Sequence, residues 1–111
     1  NGGHQTYAGF DPIAFIDKNF DRVSYVHAKD IDPDVQSAVI RNQTGFYDAC
    51  GQGIFCNLGK GSVDFVTARQ LLLERGYHGW LTVEQDCDPT LDISPLQDAI
   101  ANRQFLSAVG F

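Results

Sequence analysis

Apolar and polar positions along this chain switch repeatedly between a helical spacing and a period of two. Asp11-Pro12 sets a side-chain acceptor before a proline at the first helical position and predicts a helix over Ile13 to Phe20. Arg22 to Asp30 (RVSYVHAKD) has period two, with Val23, Tyr25, His27 and Lys29 on one face and Ser24, Val26 and Ala28 on the other, as in a strand. Asp32-Pro33 opens a second helix that fades over Asn42 to Gly45. Gly45 to Gly61 carries five glycines and reads as loop around a short apolar strand at Ile54, Phe55 and Cys56. Asp64 caps a third helix through Leu71, Leu72 and Leu73 to Arg75, with Gly76 at its C-terminal cap. Gly79 to Glu84 (GWLTVE) is a strand with Trp80, Thr82 and Glu84 facing one side and Leu81 and Val83 the other, and Ser94-Pro95 opens a last helix ending near Gly110.

Strands alternating with helices predict βαβ units, a parallel sheet and an α/β fold. With 111 residues there is room for one domain, and a hydrophobic fraction of 43% suits a packed one. Eight Lys plus Arg against fourteen Asp plus Glu give a net charge of −6, the wrong sign for phosphate backbones or anionic membranes. No apolar run reaches the roughly 20 residues of a membrane span, and the N-terminus has no signal-peptide pattern. Cys50, Cys56 and Cys87 form no Cys-x-x-Cys pair and are expected to be small apolar residues in a reducing, cytoplasmic setting.

His27, Lys29 and Asp30 close one strand, and Glu84, Gln85 and Asp86 close the other. Carboxyl ends of parallel strands are where α/β folds build sites. Asn1 or His4, His27 and Glu84 could converge there, and His plus carboxylate ligands without a thiolate suit Mn, Co, Mg or Zn. The plainer alternative is a hydrogen-bonded histidine beside the first solvated residue past a buried strand. Gly59-Lys60-Gly61-Ser62 lacks the upstream glycine of a phosphate loop, so tight turns account for its glycines. His78 sits in a turn and reads as a surface residue.

The ordered set GHQTYAGFDPIAFI, DRVSYVHAKD, GQGIFCNLGKGSVDF and GYHGWLTVEQDCDP, followed by a helix with Asn102-Arg103 and Leu106, resembles a known family. It is similar to the C-terminal part of the xylose isomerase-like TIM-barrel proteins, a group of sugar isomerases and epimerases, and within them to the inosose dehydratase branch. The resemblance implies the C-terminal portion of a (β/α)8 barrel, residues 1–111 forming one α/β segment from the end of strand five to strand eight.

In that family a Glu, an Asp, a His and a second Glu, ending strands four, five, six and eight, hold a divalent metal. By resemblance His27 is the strand-six ligand and Glu84 the strand-eight ligand and base. Asn1 stands where the family has its Asp, and loses the charge a hard dication favours. His4 matches a substrate-contacting histidine, while Lys29 and Asp30 follow the strand-six histidine and are expected to line the pocket, Lys29 facing negative oxygen. The implied reaction is a Mn- or Co-assisted dehydration (Mg or Zn as alternatives) of a cyclic keto-polyol such as 2-keto-myo-inositol through a metal-stabilised enediolate. A ketose isomerase or epimerase shares that intermediate. The repair-endonuclease branch needs an Asp-x-His pair where this chain reads Gly-Lys-Gly-Ser-Val-Asp-Phe.

The first four strands and their Glu ligand are missing from this sequence. An open part-barrel exposes strand edges and an apolar face. The expectation is therefore a piece of a longer enzyme, or a chain that pairs with itself or with a separate N-terminal half. From a different class comes a truncated, catalytically incompetent chain acting as a structural or binding piece.

Overall fold

A computed structural model describes residues 1–111. Four of the five helices that begin after a side-chain acceptor start where the sequence places one. In α2 (Pro12–Lys18) Asp11 accepts from the N–H groups of Ile13 and Ala14, and in α3 (Pro33–Asn42) Asp32 accepts from those of Asp34 and Val35. Asp64 caps α5 (Phe65–Glu74) and Ser94 caps α6 (Pro95–Val109), the latter closing on Gly110 at φ 94°. Each such cap stabilises its helix by about 1 kcal/mol.

Two short helices were not expected. The first, α1 (Gly2–Tyr7), has two glycines in its first turn and depends on Asn1, whose side chain accepts from the His4 N–H at 3.0 Å. The second, α4 (Phe46–Gly51), lies in the stretch read as loop; its Ala49 is fully buried, and that packing outweighs the glycines at both ends. Another difference is the strand expected over Arg22 to Asp30. A 3₁₀ turn occupies Phe20–Arg22, the strand β1 is only Val26–Ala28, and after Lys29 a separate strand β2 (Asp30–Ile31) begins.

β1 pairs in parallel with β4 (Leu81–Val83), with Val26 opposite Leu81, His27 opposite Thr82 and Ala28 opposite Val83. The resemblance places one barrel strand between those carrying His27 and Glu84; here the two are direct neighbours. The expected strand at Ile54–Cys56 forms as β3 (Phe55–Cys56), but pairs antiparallel with β2. Burial explains its choice, because Ile54 and Phe55 pack with Ile31, Val39 and Ala49 in a core of their own.

The other core gathers Ala28, Leu58, Val63, Phe65 and Leu106, with Leu81 and Val83 against it. Thus the Val26–Ala28 and Leu81–Val83 face is the packed one, leaving Tyr25, His27, Thr82 and Glu84 on the opposite face. Of the leucine run, Leu72 is buried and Leu73 is exposed, since consecutive helical residues lie about 100° apart and cannot share one face. Eighteen of 111 residues are buried, few for this length, and Tyr47, Trp80 and Leu96 stand exposed. No helix is long and apolar enough to cross a membrane.

Candidate metal and substrate site

The ladder between β1 and β4 continues to the residue that matters: the Glu84 N–H donates to the Ala28 carbonyl at 3.0 Å. Period-two alternation then aims Glu84 and His27 from the same face of neighbouring strands. His27 Nδ1 lies 2.6 Å from Glu84 Oε2. Tyr25 packs its ring edge-on to the His27 imidazole at 5.1 Å, and its hydroxyl bonds Thr82 Oγ1. Asn1 joins from the start of α1, its Nδ2 donating to Glu84 Oε2 at 2.6 Å and lying 3.5 Å from His27 Nδ1. The structure therefore brings Asn1, His27 and Glu84 together.

Asn1 is placed differently from a metal ligand. Its Oδ1 accepts the His4 N–H as the α1 cap, so the atom turned toward Glu84 is the amide nitrogen, which has no lone pair to offer an ion. Asn1 is a clamp on Glu84. His27 and Glu84, half-exposed on neighbouring strands and hydrogen-bonded to each other, offer an imidazole nitrogen and a carboxylate, donor types that suit a divalent ion.

Lys29 enters the same cluster from beneath. Its side chain has no accessible surface, yet its ammonium donates to Glu84 Oε1 at 2.9 Å and to Asp86 Oδ2 at 2.6 Å. It also donates to His4 Nε2 at 3.1 Å and sits 3.9 Å from the Phe55 ring centroid. Expected to line a pocket, Lys29 instead lies inside the polar cluster. An ammonium only donates, so His4 Nε2 accepts and the neutral ring carries its proton on Nδ1. His4 packs edge-on to Phe46 and Phe55. Desolvation, and then the Lys29 charge, hold its pKa below the usual histidine value, so His4 is neutral near pH 7. For Glu84, burial acts to raise the pKa, but hydrogen bonds and charge from Lys29 and His27 outweigh it and keep the carboxyl below its ordinary range.

Asp30 is a correction. It was expected beside substrate, but it is fully buried. Its Oδ1 accepts from the N–H groups of Ile31 and Val63, and its Oδ2 from those of Gly59 and Gly61. The glycine loop thus cradles an anion after all, and the anion is Asp30. No oxygen is left for a ligand.

Asp86 was placed at the strand end but its role was missed, because a carboxylate three residues past Val83 shows no partner in sequence and its lysine is 57 positions away. Behind it, buried Asn102 accepts the Leu58 N–H at 2.8 Å and donates to Gln85 Oε1 at 2.9 Å, tying α6 to the loop after β4. Of the cysteines, Cys50 and Cys56 are half-buried, while Cys87 is exposed, contrary to expectation. His78 is exposed as expected.

The family model described as xylose isomerase-like TIM barrel matches residues 2–109. Inosose dehydratase of Clostridium botulinum (strain Eklund 17B / Type B) is 36% identical over 104 residues, covering 94% of this chain and 35% of that protein. Inosose dehydratase of Geobacillus kaustophilus is 40% identical over 89 residues, or 80% of this chain and 29% of the relative. The rhizopine catabolism protein MocC of Rhizobium meliloti is 39% identical over 89 residues, or 80% and 27%. The chain spans about a third of the length of these relatives. It belongs to the xylose isomerase-like TIM barrel family.

Proposed function

We propose that this chain is the C-terminal, metal-holding part of a sugar-modifying lyase that removes water from a cyclic keto-polyol such as 2-keto-myo-inositol. The observation that carries the reading is the convergence of His27 and Glu84 on one face of two neighbouring parallel strands, in a chain similar to inosose dehydratases over most of its length. His27 and Glu84 would hold a divalent ion, Mn or Co in first place. That ion supplies Lewis-acid polarisation of the substrate carbonyl.

The chain's own residues account for the proton movements. Glu84, kept ionised by Lys29 and His27, accepts the proton α to the carbonyl, which leaves an enediolate. His4, neutral, presents Nδ1–H as a hydrogen-bond donor that orients a substrate hydroxyl, and the proton taken up by Glu84 passes to the β-hydroxyl, which leaves as water. Lys29 acts through Glu84 and Asp86 as a positioning residue, and Asn1 fixes Glu84 from the other side. Two ligand side chains make half of the four-ligand shell the family uses. Turnover therefore belongs to an assembly in which other residues, from a longer chain, a second copy or a separate partner, complete the shell and cover the exposed face.

The test is water loss from 2-keto-myo-inositol by the assembled barrel with Mn. His27→Ala and Glu84→Gln should each lower kcat at least about 100-fold, as loss of a metal ligand or general base does. Unchanged turnover in both removes these residues from the site. Conversion of a ketose to its isomer or epimer with no water lost would replace the lyase reading by that of a ketose isomerase.

A further inference from the structure

Glu84 faces positive or donor groups on two sides. Its Oε2 takes His27 and Asn1, and its Oε1 takes Lys29. On the Lys29 side, His4, Glu84 and Asp86 each offer a ligand atom, all within 4.8 Å of one another, which is the spacing of a metal-binding group. The Lys29 ammonium is bonded to all three, at 3.1, 2.9 and 2.6 Å.

We infer that Lys29 is a built-in cation that fills the His4–Glu84–Asp86 group and so restricts the chain to a single divalent ion, on the His27 side of Glu84. The ammonium is held firmly in place. A Cβ on Gly3 would lie 2.7 Å from Lys29 Cγ, so the glycine leaves room for the aliphatic stem and nothing more. Phe55 lies under Nζ, and the side chain has no exposed surface through which to swing away. A dication in contact with the same oxygens would stand beside a fixed positive charge in a partly desolvated site. Removing that charge leaves one imidazole and two carboxylates, a donor set suited to Mn, Co or Zn.

The consequence concerns which chemistry the site can host. Two ions about 4 Å apart clamp the attacking and leaving oxygens of hydrolytic displacements, whereas one ion suits polarisation of a single carbonyl. Lys29 thereby favours chemistry that a single ion can support. This consequence rests on the reading proposed above; the exclusion of an ion by Lys29 does not.

Mn stoichiometry, measured by electron paramagnetic resonance of the free ion on the chain in the assembly it forms in solution, tests the inference. Lys29→Met should bind one more Mn than the wild type, and adding Asp86→Asn should remove that extra ion. Circular dichroism checks folding, and Lys29→Gln, which keeps a polar head, serves if the methionine variant does not fold. Equal stoichiometry in wild type and the Lys29 variants overturns the inference. The two readings separate cleanly. No ion in the wild type and one in the variant supports Lys29 exclusion and sinks the His27 site. One ion in both does the reverse, and none in either overturns both.

Discussion

The carboxylate of Asp30 and the backbone of Gly61 meet with no room for another carbon: a Cβ at position 61 would lie 2.3 Å from Asp30 Oδ1. This contact closes the loop between β3 and α5 around one buried anion, which takes four backbone N–H groups.

Asp30→Ala should therefore destabilise the chain by about 3 kcal/mol or more, since it strands several buried donors at once. Gly61→Ala should cost about 1–3 kcal/mol by overpacking. Urea denaturation followed by circular dichroism measures both. If Asp30 were a substrate ligand with no structural part, the alanine variant would keep its midpoint.

Stability should fall on the acid side in part through Glu84. Its folded-state pKa lies below the unfolded one, so its contribution is fully present above the unfolded carboxylate value. As pH drops, the unfolded state takes up the proton first, and the contribution is gone once pH passes through the folded value. Glu84→Gln should flatten that limb of the stability–pH curve. An identical acid limb in wild type and variant would show that Lys29 and His27 do not stabilise the charged form.

Thiol reactivity should rank by exposure and acidity. Burial, then the charges of Asp30 and Asp32, push the half-buried Cys56 thiol up to about 11, whereas Cys87 is exposed. Iodoacetamide at pH 8 should label Cys87 first and Cys56 last, read by peptide mass mapping. Prior labelling of Cys56 in the folded chain would contradict the packing of β3.

Helix caps give a local check. Asp32→Ala removes the acceptor for two N–H groups of α3 and should cost about 1 kcal/mol, and Asp32→Asn should recover most of it. Equal loss in both variants would mean that charge, and not the cap, is what Asp32 supplies.

What could be read from sequence follows the range of the interactions involved. Asp11, Asp32, Asp64 and Ser94 act on neighbours two or three residues away, and each helix start was visible. Period two put His27 and Glu84 on matching faces, and the family resemblance paired them. By contrast, Asp30 binds N–H groups up to 33 residues on, and Lys29 meets Glu84 and Asp86 at separations of 55 and 57, so their roles needed the fold. The helices α1 and α4 escaped because glycines mask them: one stands on the Asn1 cap, the other on the burial of Ala49. The direct pairing of β1 with β4 was hidden too, since the short Ile54–Cys56 stretch looks like an intervening strand until its antiparallel partner is seen.

On the reading proposed here, His27 and Glu84 hold a divalent ion in a barrel completed by residues other than these 111. Native mass spectrometry of the assembled barrel with Mn, compared with His27→Ala and Glu84→Gln in the same assembly, tests this most directly. Mn should be bound by the wild-type assembly and lost in both variants. A metal-free wild-type assembly at every Mn concentration, or Mn retained when both residues are replaced, would contradict it.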